Sequence, residues 1–181
     1  MGDFKPLLDY NGKPIIVGLI AKLMQVSSKV AVVTGHQKDL IEKEIHSYFE
    51  KEEDKIEIVY NENFASGMFT SLQKGVEYLK SSDWILYHFV DQPALPEEFY
   101  YEFVNQIDDG YDWIQPNYHD RNGHPILLNK SLFSLITEAG NNTTLKDISQ
   151  NPAVKKKYLE TNYTGVLNDI DTPDDYRQLM K

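Results

Sequence analysis

The chain is 181 residues long, 41% hydrophobic and free of cysteine; this suits one domain around one sizeable core and excludes disulfides and thiolate metal sites. A formal net charge of -10 argues against nucleic-acid binding, which needs a basic face to displace counterions from phosphates. No apolar run reaches membrane-spanning length and the opening MGDFKPLLDY does not read as a signal peptide, so a soluble, cytoplasmic chain with no membrane contact is expected.

Helical and strand periods alternate along the chain. NGKPIIVGLIAKLMQVS (11–27) puts Ile16, Leu19, Ile20, Leu23 and Met24 on one stripe, with Pro14 suited to the first turn of a helix. KVAVVTG (29–35) is a β-branched run closed by glycine, the pattern of a strand covered on both faces. A helix is predicted over 37–49, a strand over 56–61, a helix over 70–80 and a third strand over WILYHFV (84–90). Pro96 and two acids then open a helix in LPEEFYYEFVNQI (95–107). DWIQP (112–116) and HPILL (124–128) read as short strands around the polar loop NYHDRNG, and residues 129–139 as helix. A short helix follows GNNTT (140–144), then strands at KKYLET (156–161) and GVLNDI (165–170). TPDDYRQLM (172–180) closes the chain as a helix capped by Thr172. Repeated β-then-α units predict a three-layer α/β/α sandwich with a mostly parallel sheet, whose ligands sit beyond the carboxyl ends of the strands.

The apolar run 84–90 ends in a carboxylate, Asp91, followed by Gln92 and Pro93. A turn aspartate bonding its own backbone is the ordinary explanation. At the tip of an inner strand, however, the same carboxylate is a hard oxygen ligand placed to meet Mg2+ and phosphate. NDIDTPDDY (168–176) supplies further acids. Asp174 and Asp175 are explained by helix capping, whereas Asp169 and Asp171 alternate onto one face of the expected strand, and either could complete a metal site with Asp91. In NENFASGMFTSL (61–72) a strand end, a small-residue turn and a helix start put Gly67 where backbone can approach a ligand, while Ser66 and Thr70 suit ordinary caps. His124 is a loop histidine, His88 lies in the third strand as a packed or paired residue, and Lys5 is a lone lysine near the start. His119 and His124 have no zinc-enzyme carboxylate motif around them, and the sequence carries no Ser-His-Asp constellation, Walker loop or G-x-G-x-x-G.

The order of these segments is more specific than any one of them. KPLLDYNGKPII, VAVVTGH, VYNENFASGMFTSLQKGVEYL, FVDQP, NGHPILL and LNDIDTPDDY resemble, over nearly the whole chain, the MobA-like nucleotidyltransferases, in particular their molybdenum cofactor cytidylyltransferase branch. The resemblance implies a nucleotide-diphospho-sugar transferase-like, Rossmann-like fold. It also implies a Mg2+-dependent reaction that joins the nucleoside monophosphate of CTP, or another nucleoside triphosphate, to a phosphorylated small-molecule acceptor such as molybdopterin, with release of pyrophosphate. By motif match Lys5 corresponds to the lysine that neutralises triphosphate charge and Asp91 to the metal aspartate. Asn61, Gly67, Met68 and Ser71 fall in the nucleotide-binding segment, Asp171 or Asp169 stands for the second metal-side carboxylate, and His124 faces the acceptor.

Two departures qualify the match. The family begins with a β-strand and a glycine-rich loop, in outline L-A-A-G-x-S-x-R-M-G, and this sequence opens on what corresponds to its last Met-Gly. A central strand is then expected to be missing from residues 1–181. A start upstream of Met1 is the favoured resolution; closure of the gap by neighbouring strands, or a strand from a second copy in a homodimer, are the others. In EAGNNTTLKDI (138–148) Asn141 replaces the acid of a G-D-x-G-A-R-like segment and no arginine follows, which leaves the acceptor open. Two rival functions stand beside the enzyme. One is a catalytically inactive binding or regulatory module of the same fold. The other, ranked lower, is a sugar-phosphate nucleotidyltransferase or glycosyltransferase using Asp169 and Asp171 as a D-x-D pair.

Overall fold

A computed structural model describes residues 4–140 and 142–180. The chain enters through a 3-10 turn at Lys5–Leu7 and a small hairpin, β1 (Asp9–Tyr10) with β2 (Lys13–Pro14). Periodicity gave no sign of this hairpin. Its two-residue turn uses Asn11 and Gly12, both at positive φ, the combination that matches the twist of paired strands. Pro14 caps α1 (Ile15–Leu23) rather than entering its first turn, and the helix buries Ile15, Ile16, Val17, Leu19 and Ile20.

Two β-α units follow: β3 (Val30–Thr34), α2 (Lys38–Tyr48), β4 (Ile56–Tyr60) and α3 (Met68–Tyr78). β3 and β4 are parallel, in register from Val30 opposite Ile56 to Thr34 opposite Tyr60. β5 (Trp84–Tyr87) is shorter than predicted, because His88 to Asp91 leave the ladder. Next come α4 (Glu97–Val104), β6 (Trp113–Tyr118), β7 (Arg121–Asn122), β8 (Ile126–Asn129), α5 (Phe133–Thr137), α6 (Leu145–Gln150), β9 (Lys156–Glu160) and α7 (Pro173–Leu179).

The α/β layering is as expected, but the sheet is mixed rather than mostly parallel. β5 pairs β8, β8 pairs β6 and β6 pairs β7 antiparallel, while β9 runs parallel to β6. The short return through residues 119–125 brings the chain straight back beside β6, and such a short connection cannot make a parallel crossover. The expected strand 165–170 is also absent: Thr164–Leu167 is a 3-10 turn. Its apolar Val166 is fully buried, and a short apolar run does not tell a buried turn from a buried strand. The Asn141 substitution lies outside the described residues, as do Met1 and Gly2 of the glycine-rich-loop match.

Helices cover both faces. Ile16, Ile20, Val30, Val32, Ile41 and Ile45 form one core between α1, α2 and the β3–β4 pair. α3, α5 and α6 close one side of the larger sheet through Leu72, Val76, Ile136 and Ile148. α1 and α4 close the other through Leu19, Phe99 and Phe103 against Ile114 and Leu127.

Between these layers the sheet is split. Among the described residues β3 pairs only with β4, and β5 only with β8. A cleft of about 1010 Å3 runs between them, lined by consecutive residues of both strands, including Val30, Val32, Ile85 and Leu86, and by Leu72 and Val76 of α3. The neighbouring strands therefore do not close the gap expected from the sequence. No described helix is long and apolar enough to cross a membrane.

Candidate active site

The cleft opens toward the turn that carries Asp91. Behind this turn, the half-buried Lys22 of α1 donates from Nζ to the carbonyls of Pro93 (2.8 Å) and Leu95 (2.6 Å). Desolvation lowers the pKa of that amine, partly opposed by Glu97. Two bonds then join the turn to a segment almost eighty residues away. Ile170 N–H donates to Asp91 O at 2.9 Å, and Gln92 Nε2 donates to Asp169 Oδ1 at 2.5 Å.

Asp91 itself is half-buried, and its Oδ1 is enclosed without a hydrogen-bond partner. Burial raises its pKa above the ordinary value, and the charge of Asp169 raises it further, with Lys5 acting in the opposite direction. Asp169 and Asp171 therefore do not share one face of a strand. Asp169 turns to Gln92 and Asp91, whereas Asp171 pairs with Lys5, Nζ to Oδ1 at 3.0 Å.

The second wall comes from the turn between β4 and α3. Asn61 is fully buried and donates from Nδ2 to Thr70 Oγ1 (2.8 Å) and Ser71 Oγ (3.0 Å), while its Oδ1 accepts from Asn63 N–H (3.0 Å). Its side chain is thus fully engaged in shaping the turn. Gly67 lies at φ +114°, a conformation side-chain-bearing residues avoid, and swings Met68 out to 67% exposure. Met68 and Ser71 line the same cleft as Asp91. Asn61→Ala is expected to destabilise the chain by about 1–3 kcal/mol, since it removes the buried amide that ties Thr70, Ser71 and the Asn63 N–H together; urea unfolding measures this.

His124 closes the far side. Gly123 before it lies so near Val166 that a Cβ there would meet the Val166 carbonyl at 2.4 Å. This close packing, with His124 N–H donating to Val166 O at 2.9 Å, sets the His124 ring against Phe89, centroids 4.5 Å apart. His88 is paired, as the sequence suggested. Nδ1–H donates to Phe89 O at 2.7 Å and Nε2 accepts from the Tyr100 hydroxyl at 2.8 Å, so the neutral ring is satisfied at both nitrogens.

Desolvation drives His88 down from 6.5 to about 4 and also lowers His124, against the pull of Asp169. A depressed folded-state value means that protonation favours the unfolded chain. The stability that His88 contributes is complete above pH 6.5 and is lost as pH falls toward about 4, and His124 acts in the same direction. The melting temperature is expected to drop across that interval, and His88→Gln to flatten the drop in a calorimetric pH series.

Lys5, Asp91, Asp169, Asp171 and His124 thus converge on one corner, with Met68 and Ser71 along the adjoining cleft. The corner offers three carboxylates, one of them, Asp91, with an orphaned oxygen and another, Asp171, paired with the ammonium group of Lys5. Such a set suits a dication only if it takes its remaining ligands from phosphate and water, since among the described residues there is no group of three or more His, Asp or Glu that could hold a metal ion. Lys22 was not foreseen as an organiser of this corner, and Gln92, expected to help hold the Asp91 carboxylate at the strand tip, was not foreseen as a partner of Asp169. The one signal of Lys22 was polarity out of place, a lysine on an apolar helix.

The chain is 27% identical over 177 residues to molybdenum cofactor cytidylyltransferase of Escherichia coli, covering 97% of this chain and 86% of that protein. In fold it is similar to Rv0371c of Mycobacterium tuberculosis, with TM-score 0.81 and 18% identity over 99% of this chain and 90% of the other. It is likewise similar to the manganese complex of that protein, with TM-score 0.76 and 16% identity over 97% and 90%. Residues 1–157 match the family model of the MobA-like NTP transferase domain. A chain with this match, this α/β fold and this carboxylate-lysine corner belongs to the MobA-like NTP transferases and is a nucleotidyltransferase of that family.

Proposed function

We propose that the chain transfers the nucleoside monophosphate of CTP to a phosphate group of a molybdopterin-type acceptor, in a reaction that depends on Mg2+ or another divalent cation. The observation that carries this reading is Asp91, whose enclosed Oδ1 has no partner and whose neighbour across the corner is a second carboxylate, Asp169. Two anions kept together this way suit a dication, and the manganese complex of a fold relative is in keeping with it. The exposed Asp169 is better placed for the second ligand than Asp171, which is engaged by Lys5.

When bound, the cation supplies charge neutralisation at the triphosphate. The protein's own part is alignment. An acceptor phosphate oxygen attacks the α-phosphorus in line, a new P–O bond forms, the bond to the β-phosphate breaks and pyrophosphate leaves with the electron pair. Lys5 exchanges its contact with Asp171 for the anionic oxygens of the triphosphate, where a fixed ammonium lowers the cost of developing charge. Met68 and Ser71, held by Asn61 and Gly67, border the nucleotide, and neutral His124 with Phe89 borders the acceptor.

Pyrophosphate release from CTP, GTP and ATP, measured with Mg2+ or Mn2+ and molybdopterin, tests the reading. CTP-dependent, acceptor-dependent release is expected. No release with any nucleotide, together with no heat of CTP binding, would favour the inactive-module reading instead, for which the split sheet is the supporting observation.

A further inference from the structure

The carboxylates of Asp91 and Asp169 repel one another, and the described structure contains one side chain that holds the second in place. Gln92 is 2% exposed. Its Nε2 donates to Asp169 Oδ1 at 2.5 Å, and a charged acceptor strengthens such a bond. The opposite assignment of the amide would set Oε1 against a carboxylate, so the network fixes the nitrogen's position. The backbone beneath the amide is also fixed, through Ile170 N–H to Asp91 O and through the two Lys22 bonds to Pro93 and Leu95.

The other end of the amide is informative. Gln92 Oε1 is buried and has no hydrogen-bond partner. An orphaned buried acceptor is unfavourable, and an apolar side chain of the same shape would avoid it. Stability alone therefore suits leucine better than glutamine at this place. What leucine cannot do is hold the exposed Asp169 toward another negative charge.

We infer that Gln92 is a positioning residue, whose side-chain N–H fixes Asp169 opposite Asp91 so that both carboxylates meet one divalent cation. This rests on the metal site proposed above. Without the amide, Asp169 turns into solvent, and each binding event must first bring it back against the Asp91 charge. Losing an outer hydrogen bond to a ligand typically weakens metal binding by about 10- to 100-fold.

The test is direct binding of Mn2+, followed by the electron paramagnetic resonance of the free ion in the presence of CTP, for the parent chain, Gln92→Leu, Gln92→Asn, Asp169→Ala and the double variant Gln92→Leu/Asp169→Ala. Gln92→Leu is expected to melt no lower than the parent yet to bind Mn2+ at least about 10-fold more weakly. Asn, a methylene too short to reach, is expected to behave alike and guards against misfolding of either variant. In the Asp169→Ala background Gln92→Leu should produce no further loss, because the two act as one unit. Parent-like Mn2+ affinity in Gln92→Leu and Gln92→Asn, or an equal additional loss without Asp169, overturns the inference and leaves the proposed function standing. A parent chain that binds no Mn2+ with CTP overturns both.

Discussion

Asp91→Asn is expected to slow pyrophosphate release by at least about 100-fold, the scale on which a preorganised charge contributes to such reactions, and at the same time to raise the melting temperature. Burial first, and the charge of Asp169 second, push the Asp91 carboxyl above its ordinary 3.8. The folded chain then holds this proton more tightly than the unfolded one. Stability consequently falls as pH rises from about 3.8 through the raised folded value, and at neutral pH the ionised carboxylate works against folding. Asparagine keeps the shape and removes the charge. Opposite signs on rate and stability are hard to obtain from a residue that merely supports a turn. A variant that melts lower and turns over normally would contradict the assignment; steady-state assays and calorimetry at pH 7 decide.

The largest effect on stability is expected from filling the split in the sheet. A designed six-residue Val/Ile strand, joined ahead of Phe4 by a short flexible linker, should raise the melting temperature by about 10–20 °C. That corresponds to a net gain of about 5 kcal/mol from ladder bonds and apolar burial in a domain of this size. The attachment point follows from packing. Phe4 meets the His36 ring edge-on just past β3 and shares a core with Val32 and Val90, so it sits at the carboxyl end of both lining strands. A strand parallel to β3 leaves the cleft at that point. Hydrogen exchange should show the slot-facing amides of β3 and β5 protected only when the strand is present. An unchanged melting temperature, or amides already protected in the parent, would show that the slot does not accept a strand. The same linker followed by a proline-interrupted strand is the control.

Much of this architecture was legible in local pattern. The β-branched run at Val30–Thr34, the stripe of Leu72 and Val76 on α3, and Thr172 with Asp175 at the last helix cap each announced their element. Asp91 was legible too, as a charge where an apolar strand should stop. What sequence could not convey were relations across distance. GVLNDI has the apolarity of a strand because Val166 is buried against the Gly123 turn, not because it pairs. The separate fates of Asp169 and Asp171 follow from that lost strand, since the 3-10 turn frees one to reach Gln92 and the other to reach Lys5. Asn61, grouped with nucleotide-binding residues by motif match, is a fully buried clamp that bonds Thr70 and Ser71 and shapes the turn before α3.

Whether Asp91 and Asp169 together hold a dication at the triphosphate is decided by anomalous diffraction from crystals grown with Mn2+ and a non-hydrolysable CTP analogue. One manganese peak bonded by both carboxylates is expected, with Lys5 moved from Asp171 onto a phosphate oxygen. Manganese on Asp171, or nucleotide bound with Asp91 still enclosed and unbonded, would contradict it.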